Sequence, residues 1–199
     1  MRIQKEFNHE IEISKSRFIC YINRVDSELE ARDYITYIKK LHPKANHHCC
    51  AILIDNNIQR SSDDNEPSGT AGVPMLEALR KNNMERIVAV TVRYFGGIKL
   101  GAGGLVRAYS KSVSETLSLV DKYDIQILHI YNLTVDYSTA NKLERFLSTV
   151  KIIEKKYEEN VSITFAIDDN DILNSLDEIL LGKYKPSFIE DSEIEMLIK

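Results

Sequence analysis

Ile87-Val-Ala-Val-Thr-Val-Arg-Tyr-Phe-Gly-Gly-Ile-Lys-Leu-Gly-Ala-Gly-Gly-Leu-Val-Arg-Ala-Tyr109 changes character twice along its length. Up to Val92 it is β-branched and apolar on both faces, the pattern of a strand buried in mid-sheet. Residues 96–104 then hold five of the chain's eight glycines. Glycine serves where a backbone takes positive φ or comes close to something else. From about residue 104 to 120, Leu105, Tyr109, Val113, Thr116, Leu117 and Val120 recur at helical spacing. A buried strand, a glycine turn and an amphipathic helix together predict an α+β unit whose remaining strands lie elsewhere in the chain.

Upstream, loose alternation predicts a strand over 7–13 and its hairpin partner over 16–22. Ser27-Glu-Leu-Glu30 is a capping box, in which Ser27 accepts from the amide of residue 30 and Glu30 reaches back to the amide of Ser27. The helix it opens puts Leu29, Tyr34, Ile35, Ile38 and Leu41 on one face and stops at His42-Pro43. Residues 49–54 read as a buried strand and 56–72 as a polar loop. Pro74, in a first helical turn, begins a short helix with Met75, Leu76 and Leu79. Downstream, 122–124 is the expected linker. Beyond it come a strand (127–135), a helix (139–149), strands (152–157, 161–167), a helix (171–181) and a last strand near 187–189. Asp136 or Ser138, and Asp168 or Asp169, cap the two helices. The order β-α-β-β-α-β is that of a ferredoxin-like sandwich. Two domains are therefore expected, 1–124 and 125–199.

Bulk properties narrow the function classes. The chain has 199 residues, 43% hydrophobic and 28% charged, with no tryptophan, an ordinary globular balance. No apolar h-region opens it and no run is long enough to span a bilayer, so a cytoplasmic protein without a membrane partner is expected. Cys20, Cys49 and Cys50 are an odd set with two neighbours, which argues against a disulfide framework. Without a CxxC pair, no structural zinc, other metal or cofactor is expected. Charge is uneven: residues 1–125 carry 18 basic and 16 acidic side chains, residues 126–199 carry 8 and 14. Between Arg86 and Lys111 stand five basic residues and no acid.

Three groups are candidates for chemistry. Gly101, Gly103 and Gly104 let an anion approach the unpaired amides of a helix N-terminus, and Arg93, Lys99 and Arg107 add charge. The spacing matches neither a Walker loop nor a dinucleotide fingerprint; tight strand–helix packing is the alternative. Asp63, Asp64, Glu66 and Ser68 form a second block. Its carboxylates suit a divalent cation or acid/base work, while an ordered loop in which Ser68 or Thr70 caps the next helix is the favoured reading for metal. Pairing of this acidic loop with Arg93 or Lys99 is a further possibility. In the third group, His47 and His48 point to opposite faces of a strand and cannot readily share a metal, so one is expected to be packed and the other at the surface. Tyr94 and Phe95 are either a stacking surface for unpaired bases or core. No nucleophile–base–orienter set emerges.

The run Arg93–Tyr109 closely resembles the signature of the IMPACT family, and Asp63–Gly72 its second hallmark block. Lys15–Ile19 and Ala45–Cys49 resemble two weaker blocks, in the same order. The resemblance implies an N-terminal domain with the βαβ fold of domain 2 of a small-subunit ribosomal protein, also seen in domain IV of elongation factor G. It implies a C-terminal ferredoxin-like domain similar to that factor's last domain. For function it implies a nucleic-acid- or ribosome-binding role in regulating translation, non-enzymatic, with RNA, the ribosome or a protein of the translation machinery as partner. Eukaryotic relatives act with an additional RWD domain that is not expected here, and their mechanism is not carried over. Asn65 stands where the family usually has glycine; Asn tolerates the left-handed geometry such a turn needs. Two other functions compete: an enzyme or binding protein for a small phosphorylated metabolite, held by the same glycine loop, and a protein–protein regulatory module.

Overall fold

Nothing between Ile87 and Val92 can face water, so this strand needs neighbours on both edges and cover on both faces. The computed structural model describes residues 1–169 and 171–198 and supplies both. Two hairpins, β1 (Phe7–Ile13) with β2 (Ser16–Arg24) and β3 (His47–Leu53) with β4 (Gln59–Ser62), flank β5 (Ile87–Tyr94). The sheet order is β1-β2-β5-β3-β4, antiparallel throughout. Alternation along β5 sends Val88, Val90 and Val92 to one face, where Ala31, Tyr34 and Ile38 of α1 (Glu28–Leu41) cover them. Ile87 and Ala89 face the other layer, against Met75 and Leu79 of α2 (Gly72–Lys81) and Tyr109, Val113 and Leu117 of α3 (Gly101–Ser118). Each fully buried Val or Ile contributes about 1.5–3 kcal/mol, so one strand anchors two cores.

Local chemistry explains the departures from expectation. Ser27 caps α1 by accepting from the Glu30 amide, but the Glu30 carboxylate accepts from Asp26, one residue before the expected amide. Leu29 and Leu41 lie off the buried stripe and remain exposed. The polar stretch 56–72 contains β4, an edge strand paired only with β3, so its side chains need no apolar pattern. The α3 helix begins at Gly101, three residues before the apolar periodicity starts.

The chain divides into two compact units, Met1–Asp124 joined by the residues from Leu197, and Ile125–Met196. The second opens on β6 (Tyr123–Val135), whose first residues occupy the stretch read as a linker. There follow α4 (Tyr137–Lys142), α5 (Glu144–Leu147), β7 (Lys151–Tyr157), β8 (Val161–Ile167), α6 (Asp171–Leu180) and β9 (Ser187–Leu197). The sheet order is β7-β8-β6-β9, the ferredoxin-like arrangement. Leu133, Leu143, Phe146, Phe165 and Leu176 form its core. Asp136 caps α4 by accepting from the Thr139 amide at 2.8 Å. The helix expected over 139–149 is two short pieces meeting at Leu143. β9 runs eight residues further than expected because an edge strand leaves its acidic side chains in water. The molecule is thus an α+β protein with two antiparallel sheets.

Candidate functional site

After Tyr94 the chain crosses the β1–β2 turn, and glycine is dictated there. A Cβ at Gly96 would lie 2.0 Å from the Lys15 carbonyl carbon and oxygen. The Gly96 amide donates to Ser16 Oγ at 3.2 Å and the Phe95 amide to Asn46 Oδ1 at 2.8 Å, which pins the crossing. Gly101 adopts φ +69°. Nothing stands within 4 Å of where a Cβ would project from Gly101 or Gly103, whereas one on Gly104 would meet Leu100 Cβ at 3.0 Å. Bare backbone at the start of α3 therefore faces open space, in the turn whose amides lack intrahelical acceptors and carry partial positive charge. Lys99 and Arg107 are exposed beside it. Among the described residues neither forms an ion pair.

Arg93 corrects the expectation of three cations poised for phosphate. Alternation along β5 turns it into the layer beneath α2 and α3, where it is 5% exposed. Its Nη1 donates to Glu66 Oε1 at 2.6 Å, so the acidic loop does pair with Arg93. Glu66, itself 8% exposed, also accepts from the Tyr109 hydroxyl at 2.8 Å. Burial, reinforced by Cys49 and the Glu66 charge, pushes the Tyr109 phenol far above its ordinary range, so it stays a donor. Phe18 and Phe95 flank the guanidinium, their ring centroids 5.3 and 5.5 Å from its carbon. Arg93 Nε is buried without a partner.

The remaining members of the acidic block are spoken for. Asp63 Oδ1 accepts from the amides of Ala71 and Gly72 at 3.0 and 2.8 Å, and its Oδ2 from Gly69 at 2.8 Å. It therefore caps α2 from eight residues away, in place of Ser68, which is exposed, or Thr70, which donates to the Pro67 carbonyl. Burial works to raise the Asp63 pKa, but the three amides outweigh it and hold the carboxyl below its ordinary value. Asp64 accepts from the His48 amide at 2.7 Å and from Lys39 at 3.1 Å. Asp64 and Asn65 both take positive φ, 40° and 68°, the geometry that Asn tolerates. These carboxylates do not converge, and the described residues contain no group of three or more His, Cys, Asp or Glu placed to hold a metal ion. Both histidines are half-buried and hydrogen-bonded: His47 Nδ1 donates to the Asp64 carbonyl and His48 Nε2 to the His42 carbonyl. Cys20, Cys49 and Cys50 are free thiols in the core; burial pushes Cys20 and Cys50 up to about 11.

A groove of about 380 Å³ joins the two blocks. Glu66 and Pro67 form one side, and Phe95, Lys99, Gly101 and Leu105 contribute to the rest. Gly103, Gly104 and Arg107 continue along α3 outside it, and Asp63, Asp64 and Ser68 do not line it. The same alternation that buries Arg93 separates the two aromatics. Tyr94 packs on the α1 side, its hydroxyl 2.9 Å from His42 Nδ1, while Phe95 is 45% exposed on the groove. The Tyr109 hydroxyl was not legible as a site member. The period of α3 marked Tyr109 only as core.

Residues 14–117 match the family pattern of the Impact N-terminal domain. The chain is 43% identical over 204 aligned positions to IMPACT family member YvyE of Bacillus subtilis (strain 168), covering 99% of this chain and 93% of that one. It is 38% identical over 162 positions to IMPACT family member YigZ of Escherichia coli (strain K12), with 78% and 79% covered. Among solved structures, a crystal structure of a hypothetical protein is 33% identical with a TM-score of 0.58, over 94% of this chain and 96% of that one.

Proposed function

This chain belongs to the IMPACT family, and on that premise we propose that it is a cytoplasmic regulator of translation that binds RNA or the ribosome and catalyses no reaction. The observation that carries the reading is the start of α3. Lys99 and Arg107, both exposed and outside any described ion pair, flank glycines that leave helix N-terminal amides open to solvent. Phosphate oxygens are what such a surface recognises, through charge-assisted bonds and bare N–H groups. The acid-free stretch from Arg86 to Lys111 keeps competing carboxylates of the same segment away. Translation as the setting comes from the family resemblance, and a protein of the translation machinery is the natural neighbour.

The test is sedimentation of cell extracts with and without nuclease, using the wild type and the Lys99→Ala/Arg107→Ala double variant. Nuclease-sensitive co-migration with ribosomal particles, lost in the variant, is the expected outcome. The groove of about 380 Å³ favours a second reading, a small phosphorylated metabolite held at the same amides. A protein that stays at the top of the gradient, yet is stabilised against heat by such metabolites, would select it.

A further inference from the structure

Charge accounts for the rim of the groove but not for its interior. Its wall and floor include Phe95, Pro67, Leu100 and Leu105, an apolar lining that a phosphate has no use for. Phe95 is the unusual member, an aromatic ring 45% exposed at the end of the most deeply buried strand of the fold. Its position is fixed from three sides. Its amide is held by Asn46, the next residue is locked against the Lys15 backbone, and the Arg93 guanidinium lies 5.5 Å from the ring centroid. A ring held in this way is ordered before anything binds, so a planar partner gains a stacking surface without immobilising it. Arg93, 5% exposed, also lines the groove, and its Nε–H has no acceptor among the described residues.

Building on the nucleic-acid reading above, we infer that the groove admits one unpaired nucleobase, stacked on Phe95, with its adjoining phosphate at Lys99 and the first-turn amides of α3. The site therefore selects single-stranded RNA or an extruded loop base over a duplex. Bases inside a helix keep their faces stacked on one another and offer none to a protein ring. Lys99 supplies affinity through the backbone and Phe95 supplies the preference for strand state.

The chain contains no tryptophan, so Phe95→Trp installs a single reporter. Binding of a single-stranded oligouridylate of about ten nucleotides is compared with that of an RNA duplex of equal length. Wild type should prefer the single strand. Phe95→Ala should weaken it roughly ten-fold or more while leaving the salt dependence unchanged, and the Phe95→Trp fluorescence should be quenched by the single strand only. Equal affinity for both RNAs, with Phe95→Ala neutral and Lys99→Ala weakening both, overturns the stacking site while leaving the phosphate reading intact. If neither the single strand nor the duplex binds, both the stacking site and the phosphate reading are overturned.

Discussion

Arg93 and Glu66 show how little of a residue's role its type reveals. Arg93 is near the end of a central strand and Glu66 is in a polar loop, yet each is buried with the other as partner. Removing one partner strands a charge in the core, and such changes are typically destabilising by about 3–5 kcal/mol. Glu66→Ala should therefore shift the urea midpoint far more than the double replacement Arg93→Met/Glu66→Leu, which leaves no orphan charge. Equal losses for the two would mean that the pair contributes packing alone. The pairing was legible in the sequence only as one option among several, because pairing across 27 residues leaves no local periodic trace. The capping of α2 by Asp63 was not legible at all: the local rule looks one residue before a helix, and this cap arrives from eight residues upstream. Phe95 and Tyr94 are a contrasting case. Alternation requires adjacent side chains to part, but it does not say which one goes to the core.

At the scale of elements, periodicity located the strands that carry an apolar or alternating pattern, the edge strands β1 and β7 included, and missed the polar ones. β5 and β8 have the bounds their apolar runs predict, whereas β4 and most of β9 are polar edge strands with no such run. The α3 helix combines the two cases. Its apolar stripe begins at Gly104, yet the helix starts at Gly101, in residues whose side-chain face is open space. This sets up a test in which stability and binding move in opposite directions. Gly103→Ala adds a methyl group where nothing stands within 4 Å and should stabilise the helix by up to about 1 kcal/mol. The same methyl would cover the amides proposed to receive phosphate. A higher melting temperature with weaker RNA binding is expected; unchanged binding would place the ligand elsewhere. Gly96 admits no such exchange, since its Cβ would collide with backbone.

For the whole molecule, the decisive quantity is the distribution of charge rather than its sum of −4. The acid-rich residues 126–199 offer little to a polyanion, so binding must rest on a few contacts in residues 1–124. Two phosphate contacts, at Lys99 and Arg107, imply a modest salt dependence, roughly −0.7 in log affinity per log salt for each contact with single-stranded RNA. Titrations from low to physiological salt should give about twice that slope in wild type and half of it in Lys99→Ala. A wild-type slope near zero would exclude both cations as phosphate ligands. The sheet order has a consequence of another kind. β5 is the last strand of its sheet to leave the ribosome, yet it is the one that joins the two hairpins. Until residues 87–94 emerge, β2 and β3 have no shared partner and a nascent chain can hold only two separate hairpins, each weak alone. The sheet then closes in one late step across long stretches of chain, which makes assembly slow for its size. A chain arrested before Ile87 should be open to proteases throughout, and one arrested after α3 has cleared the exit tunnel should resist them.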